Sequence, residues 1–173
     1  MPRVILIAGP AGAGKTTLAQ TIAAQPGWVM LSEDQYWSQL PRDPFALRSD
    51  ADKYEIQALV LADIRRHVAA GQSVALEFIV YDDPPQPVQF YHAAVQALGT
   101  PVTVCVLRPS VTTLMARQAQ RGLPHDIEVS SEVRHANALH QLRCLAHPAI
   151  DPGWVVAADQ MEPLQIAAAV LAR

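Results

Sequence analysis

Apolar residues fall in short continuous runs, Val4 to Ala8, Trp28 to Leu31, Ser73 to Val80, Val102 to Leu107 and Trp154 to Ala157, each closed by turn-forming residues. Between them the spacing changes to that of a helix. The longest such segment, Tyr54 to Ala70, sets Ile56, Leu59, Val60, Ile64 and Val68 on one face and stops at Gly71, a residue suited to ending a helix. The same reading predicts a helix of about three turns after Thr16, halted by Pro26-Gly27. Further helices are expected near Val88 to Leu98, Val111 to Arg121, Ser131 to Ala146 and Pro163 to Leu171. Strands that are apolar along their whole length need cover on both faces, so their alternation with helices predicts a parallel sheet between two helical layers, joined by right-handed crossovers. Ligands of such sheets sit beyond the carboxyl ends of the strands. Function is therefore expected at residues 9–16, 32–37, 77–83, 108–110 and 158–161.

The first of these edges is the most specific. Gly9 to Thr16 reads Gly-Pro-Ala-Gly-Ala-Gly-Lys-Thr, directly after a strand and directly before a helix. Such a loop turns successive backbone N–H groups, those of Ala11 and Ala13 among them, toward a polyphosphate, and the helix N-terminus adds its partial positive charge. Gly9, Gly12 and Gly14 leave the backbone room to wrap the anion. Lys15 is placed to reach the β- and γ-phosphates, and the Thr16 hydroxyl to ligate the accompanying Mg²⁺. The alternative is an ordinary strand-to-helix turn rich in glycine.

After the second strand the chain reads Ser32-Glu33-Asp34-Gln35-Tyr36-Trp37. Asp34 is the candidate general base, a carboxylate able to take a proton from an acceptor hydroxyl and hold it in line with the γ-phosphate. An N-cap or turn aspartate is the competing reading. Glu33 is expected to be exposed or near the metal. Glu77, in an otherwise apolar strand, is a candidate metal-side carboxylate, unless the strand ends at Leu76 and leaves it solvated. Asp82 and Asp83 are candidates for substrate contact or simple turn formers, and Pro84 to Pro87 reads as a rigid loop. Arg117 and Arg121, four apart on a predicted helix, share a face and can offer a planar surface to a base and a fork to phosphate, or can be a solvated helix end. Residues 122–135 read as a short lid from which Arg134 reaches the transferring phosphoryl group. Residues 36–60, with Tyr36, Trp37, Phe45, Arg42, Arg48 and Lys53, read as an acceptor-binding region or as a plain surface insertion.

Length and charge then narrow the classes. A chain of 173 residues, half of them hydrophobic, is expected to form a single domain. A net charge of -3 supplies no general attraction to nucleic acid or anionic membrane. No apolar stretch approaches membrane-spanning length, and the N-terminal run reads as a strand rather than a leader. Cys105 and Cys144 lack motif spacing and are expected to be reduced thiols of a cytoplasmic protein, a monomer or a homodimer. The six histidines show no metal spacing. No Asp-x-x-Gly follows the third strand and no Asn/Thr-Lys-x-Asp occurs, which disfavours a GTPase-type switch.

The glycine loop, Ser32-x-Asp34 after the second strand and Arg117-x-x-x-Arg121 before a short lid together resemble the P-loop small-molecule kinases of the nucleoside-monophosphate-kinase-like group, which includes shikimate and gluconate kinases, chloramphenicol phosphotransferase and zeta-toxin-like proteins. The resemblance implies a three-layer α/β P-loop NTPase fold with five parallel strands in the order 2-3-1-4-5, and ATP and Mg²⁺ as cofactors. It implies that Gly9 to Thr17 hold the phosphates, that Lys15, Asp34 and Arg121 are catalytic, that Arg117 stacks on adenine and that Asp159 to Met161 flank the base. Metal contacts would come from Thr16 and Glu77, and acceptor contacts from Asp34, Tyr36, Arg48 and Asp82. The expected activity is phosphoryl transfer from ATP to a hydroxyl of a sugar acid, nucleoside or antibiotic-like molecule. A nucleoside or nucleotide kinase, or a nucleotide-gated regulatory module, are the alternatives.

Overall fold

Five strands, β1 (Val4–Ala8), β2 (Trp28–Ser32), β3 (Ser73–Phe78), β4 (Val102–Leu107) and β5 (Val155–Val156), form one sheet in the order β2-β3-β1-β4-β5. All neighbours are parallel. The computed structural model describes residues 1–39, 49–122, 129–159 and 161–173. Among these the helices are α1 (Lys15–Ala23), α2 (Glu33–Trp37), α3 (Asp50–Ala69), α4 (Gln86–Ala97), α5 (Val111–Arg121), α6 (Ser131–Cys144) and α7 (Pro163–Leu171).

The continuous apolar runs are explained by burial on both faces. In β1 every residue is fully buried; Val4, Leu6 and Ala8 face a core completed by α3, α4 and the end of α6, while Ile5 and Ile7 face one completed by α1, α5 and α7. Each fully buried Ile or Leu contributes about 1.5–3 kcal/mol, so the central strand is the least replaceable part of the frame. Parallel register sets Ile7 opposite Glu77, and Glu77 opposite Ser32, so these side chains leave the sheet on the same face at its carboxyl end. That is the face of α1.

Helix starts and stops depart from the sequence reading where caps intervene. α3 begins at Asp50 because Ser49 and Asp52 form a reciprocal capping box. Leu59, expected on its inner face, is 42% exposed. The 84–87 stretch is not all loop, since Gln86 and Pro87 open α4. β3 ends at Phe78 and β5 is two residues long, preceded by a 3₁₀ turn at Pro152–Trp154. α2 was not expected: five residues are too few to display a period, although Glu33 and Asp34 suit the positive end of a helix.

Candidate functional site

The loop from β1 into α1 depends on two glycines in the left-handed region, Gly12 at φ +82° and Gly14 at φ +94°. A Cβ on Gly12 would lie 3.1 Å from Gln118 Cγ and 3.3 Å from the Leu114 carbonyl oxygen, so glycine is required there for space as well as conformation. No side chain caps α1 and no acid occupies its first turn. Its first N–H groups are thus free for an anion.

Lys15 is nearly buried and its Nζ donates to the Pro10 carbonyl at 3.0 Å. Burial holds its ammonium below the usual lysine range; Glu77 and then Asp34 act in the opposite sense, and Arg121 adds to the lowering. Residues 15, 34, 77 and 121, remote in sequence, therefore share one electrostatic neighbourhood. Glu77 lies inside β3, only 6% exposed, and not at a solvated strand end. The Thr16 hydroxyl lies 3.0 Å from both of its carboxylate oxygens, and Ser32 Oγ donates to Oε1 at 2.9 Å. A buried carboxylate beside two hydroxyls suits a hard divalent cation that completes its shell with phosphate oxygens and water. Among the described residues no cluster of three or more His, Cys, Asp or Glu forms a metal cage, and a cation shared with phosphates needs none.

Three walls enclose a cleft of about 710 Å³ over this loop: the loop itself with α1, the inner face of α5, and Ala158, Met161, Glu162 and Pro163 after β5. Hydrogen bonds tie the walls together. Arg117 donates to the Ala13 carbonyl at 3.2 Å and to the Ala158 carbonyl at 3.1 Å, which fixes its guanidinium plane at the cleft wall. Arg121 lines the same cleft. Asp159 takes two bonds from the Ser110 N–H, at 2.9 and 3.0 Å, and one from Ser110 Oγ at 3.1 Å. The Thr113 hydroxyl, then Ser110, hold its carboxyl below the usual aspartate range.

Two buried glutamines that the sequence reading missed hold the loop at Ala11. Gln118 Nε2 donates to the Ala11 carbonyl at 2.8 Å, and Gln141 Oε1 accepts from the Ala11 N–H at 2.9 Å. The available signal was positional. Gln118 follows Leu114 by four residues, and Gln141 follows Ala138 by three, so each is a polar residue on a buried stripe.

The other predicted residues are distributed differently. Asp34 is exposed in the first turn of α2. Glu33 is not exposed: it is 6% exposed and accepts from the Tyr91 hydroxyl at 2.7 Å. Tyr36 is also buried and gives its hydroxyl to Asp63 at 2.7 Å, so the structure commits it to α3. Asp82 pairs with Lys53 at 2.6 Å. Arg42, Phe45, Arg48 and the 123–128 part of the expected lid lie outside the described residues. Arg134 is half-buried on α6. Both cysteines are free and buried, and burial pushes the Cys105 thiol up to about 12. No helix among the described residues is long and apolar enough to cross a membrane.

An all-parallel sheet in this strand order, opened at its first strand end by a glycine-rich Lys-Thr loop, defines the P-loop kinase-like α/β fold. The chain belongs to the AAA domain family, whose profile matches residues 4–148. Comparison with curated protein sequences finds no match. Among solved structures it is similar to the tunicamycin resistance protein of Deinococcus radiodurans, with a TM-score of 0.72, 14% identity, and coverage of 98% of this chain and 94% of that one. An unliganded sugar kinase from Janibacter sp. HTCC2649 gives 0.69 and 17%, over 99% and 94% of the two chains. Shikimate kinase from Acinetobacter baumannii in complex with shikimate gives 0.65 and 15%, over 99% and 92%. At these identities the likeness is one of fold.

Proposed function

We infer that this chain is an ATP-dependent kinase that phosphorylates a hydroxyl of a small molecule, a sugar acid, nucleoside or antibiotic-like compound. The observation that carries this reading is the meeting of Lys15 and Thr16 of the glycine loop with Glu77 and Ser32 from the ends of β3 and β2, with Asp34 of α2 and Arg121 of α5 in the same electrostatic neighbourhood. That solved structures of the same fold include proteins titled sugar kinase and shikimate kinase supports it.

The roles follow from position. The N–H groups of Gly12, Gly14 and the first turn of α1 hold the phosphates, those of Ala11 and Ala13, expected to do so, being taken by Gln141 and by the Pro10 carbonyl, while the Arg117 plane, Ala158 and Met161 enclose the base. Lys15 leaves the Pro10 carbonyl for the β- and γ-phosphate oxygens, exchanging one acceptor for charged ones. Thr16, Ser32 and Glu77 would hold Mg²⁺, which when bound neutralises charge developing on the phosphates. Asp34, exposed and within electrostatic reach of Lys15, takes the acceptor's hydroxyl proton, and Arg121 and Lys15 stabilise the transferring group. Asp82 and Lys53, paired with one another, offer the acceptor a donor and an acceptor.

The test is ADP release across a panel of sugar acids, nucleosides and antibiotics, with calorimetry of nucleotide binding alongside. Asp34→Asn is expected to lower kcat by about two to four orders of magnitude and to leave MgADP binding unchanged. Undiminished turnover in that variant would remove Asp34 from the mechanism. ADP release that needs a protein and no small acceptor would favour a regulatory module instead.

A further inference from the structure

Gln141 is 1% exposed, and only half of its amide is satisfied: Oε1 takes the Ala11 N–H, while Nε2, also buried, has no hydrogen-bond partner. The orientation is not arbitrary, because reversing the amide would set two donors against each other at Ala11. The free donor is therefore fixed in place by the phosphate loop. A buried amide hydrogen without an acceptor is uncommon in folded proteins and calls for an explanation.

The same helix carries a second one. Arg134, two turns earlier on the same face of α6, has a buried Nε without a hydrogen-bond partner. The face is inward, since Ala138 lies between them in the core with Ala13 and Leu114. Its surroundings are also defined. The Pro10–Ala11 peptide that gives its N–H to Gln141 receives the Lys15 ammonium on its carbonyl. Farther along α6, His140 Nε2 donates to the Tyr81 carbonyl at 2.8 Å, Arg143 donating to its Nδ1. The helix thus bridges the phosphate loop, through Gln141, and the segment after β3, through the adjacent His140.

We propose that α6 supplies a further phosphoryl-binding element, in which Gln141 Nε2 donates to an oxygen of the terminal phosphoryl group while Oε1 keeps the Ala11 peptide in register. This rests on the nucleotide-binding reading above. Two buried donors without acceptors, two turns apart on one face of α6 and one of them cationic, suit an anionic group, and the terminal phosphoryl is the anion that this reading puts between Lys15 and the acceptor. Gln141 in this role separates triphosphate from diphosphate.

Calorimetry of the full chain with MgADP and with a magnesium-bound non-hydrolysable ATP analogue tests it in two variants. Gln141→Glu preserves an acceptor for the Ala11 N–H and removes the donor; Gln141→Leu removes both without adding charge. In both, the analogue should lose about tenfold or more in affinity relative to ADP, and in Gln141→Glu ADP should stay within about twofold of the parent, which also reports a correctly formed loop. Equal weakening of both nucleotides would reduce Gln141 to a support for the loop and overturn the proposal. A selective loss in Gln141→Glu alone would show charge repulsion and overturn it too, as would an unchanged ratio in both variants, which would show that the amide meets no phosphoryl oxygen. If the parent chain binds neither nucleotide, the nucleotide reading itself fails.

Discussion

On the side of Lys15 that faces α5 and Ala158, the site is held together largely through backbone atoms: Arg117 on two carbonyls, Gln118 and Gln141 on the backbone of Ala11, Asp159 on the Ser110 N–H. On the side that faces α2, α3 and the segment after β3, the contacts run between side chains, Tyr91 with Glu33, Tyr36 with Asp63 and Lys53 with Asp82. The first arrangement leaves N–H groups pointing into the cleft and asks for few residue identities. The second consumes polar groups in pairs, which sets shape and position on that side and leaves Asp34 as an exposed acid beside them. One half is built to hold a generic polyphosphate, and the other can be re-specified by changing pairs without disturbing the loop.

Damage to the loop should accordingly weaken nucleotide binding and spare the rest. Gly12→Ala places a Cβ against Gln118 and the Leu114 carbonyl and forces a non-glycine residue to φ +82°. Such strain costs about 1–3 kcal/mol, and spent on the bound loop it weakens MgADP by about tenfold to a hundredfold. Calorimetry beside a thermal melt separates the two effects. A variant that melts early yet binds normally would mean that the loop does not need the conformation observed.

The same division decides what could be read beforehand. The strand runs, the helix at residues 111–121 and the glycine loop are patterns in adjacent residues, and the fold and Gly9 to Thr16 were legible for that reason. Glu77 was legible as a problem, a carboxylate in an apolar strand, but its solution needed the register that sets it opposite Ser32. Tyr91 and Glu33 meet across 58 positions, and Tyr36 and Asp63 across 27. Nothing in local spacing distinguishes a tyrosine that lines a pocket from one that stabilises a buried acid. Gln118 and Gln141 were passed over because glutamine is ordinary on a helix, and only burial makes it informative.

Tyr91→Phe probes the other half at an intermediate scale. It removes the hydroxyl that donates to Glu33 and leaves the aromatic packing against Phe78 and Phe90 intact. The buried carboxylate then loses a donor, at a cost of about 1–3 kcal/mol, which in a chain of this size lowers Tm by about 2–4 °C per kcal/mol. MgADP affinity should stay within about twofold of the parent, as expected of sites with no shared partner. Loss of nucleotide binding in step with stability would join the two halves that the hydrogen bonds separate.

The smallest effect falls on the tie between α5 and the loop after β5. Asp159 is exposed, so its bonds to Ser110 and Thr113 are screened by solvent and contribute at most about 1 kcal/mol. Asp159→Asn should raise KM for ATP a few-fold at neutral pH without changing kcat, because the bonds position the base wall and touch no reacting atom. The pH dependence has a definite sign. Because the folded pKa is lowered, the carboxylate's contribution to stability is complete above the ordinary aspartate value of about 3.9 and disappears as pH falls through the lower folded value. The Tm difference between the parent and Asp159→Asn should therefore be constant from neutral pH down to about pH 4 and vanish on further acidification. A difference that persists in strong acid would come from the altered side chain itself, and the base wall would then be held by Arg117 alone.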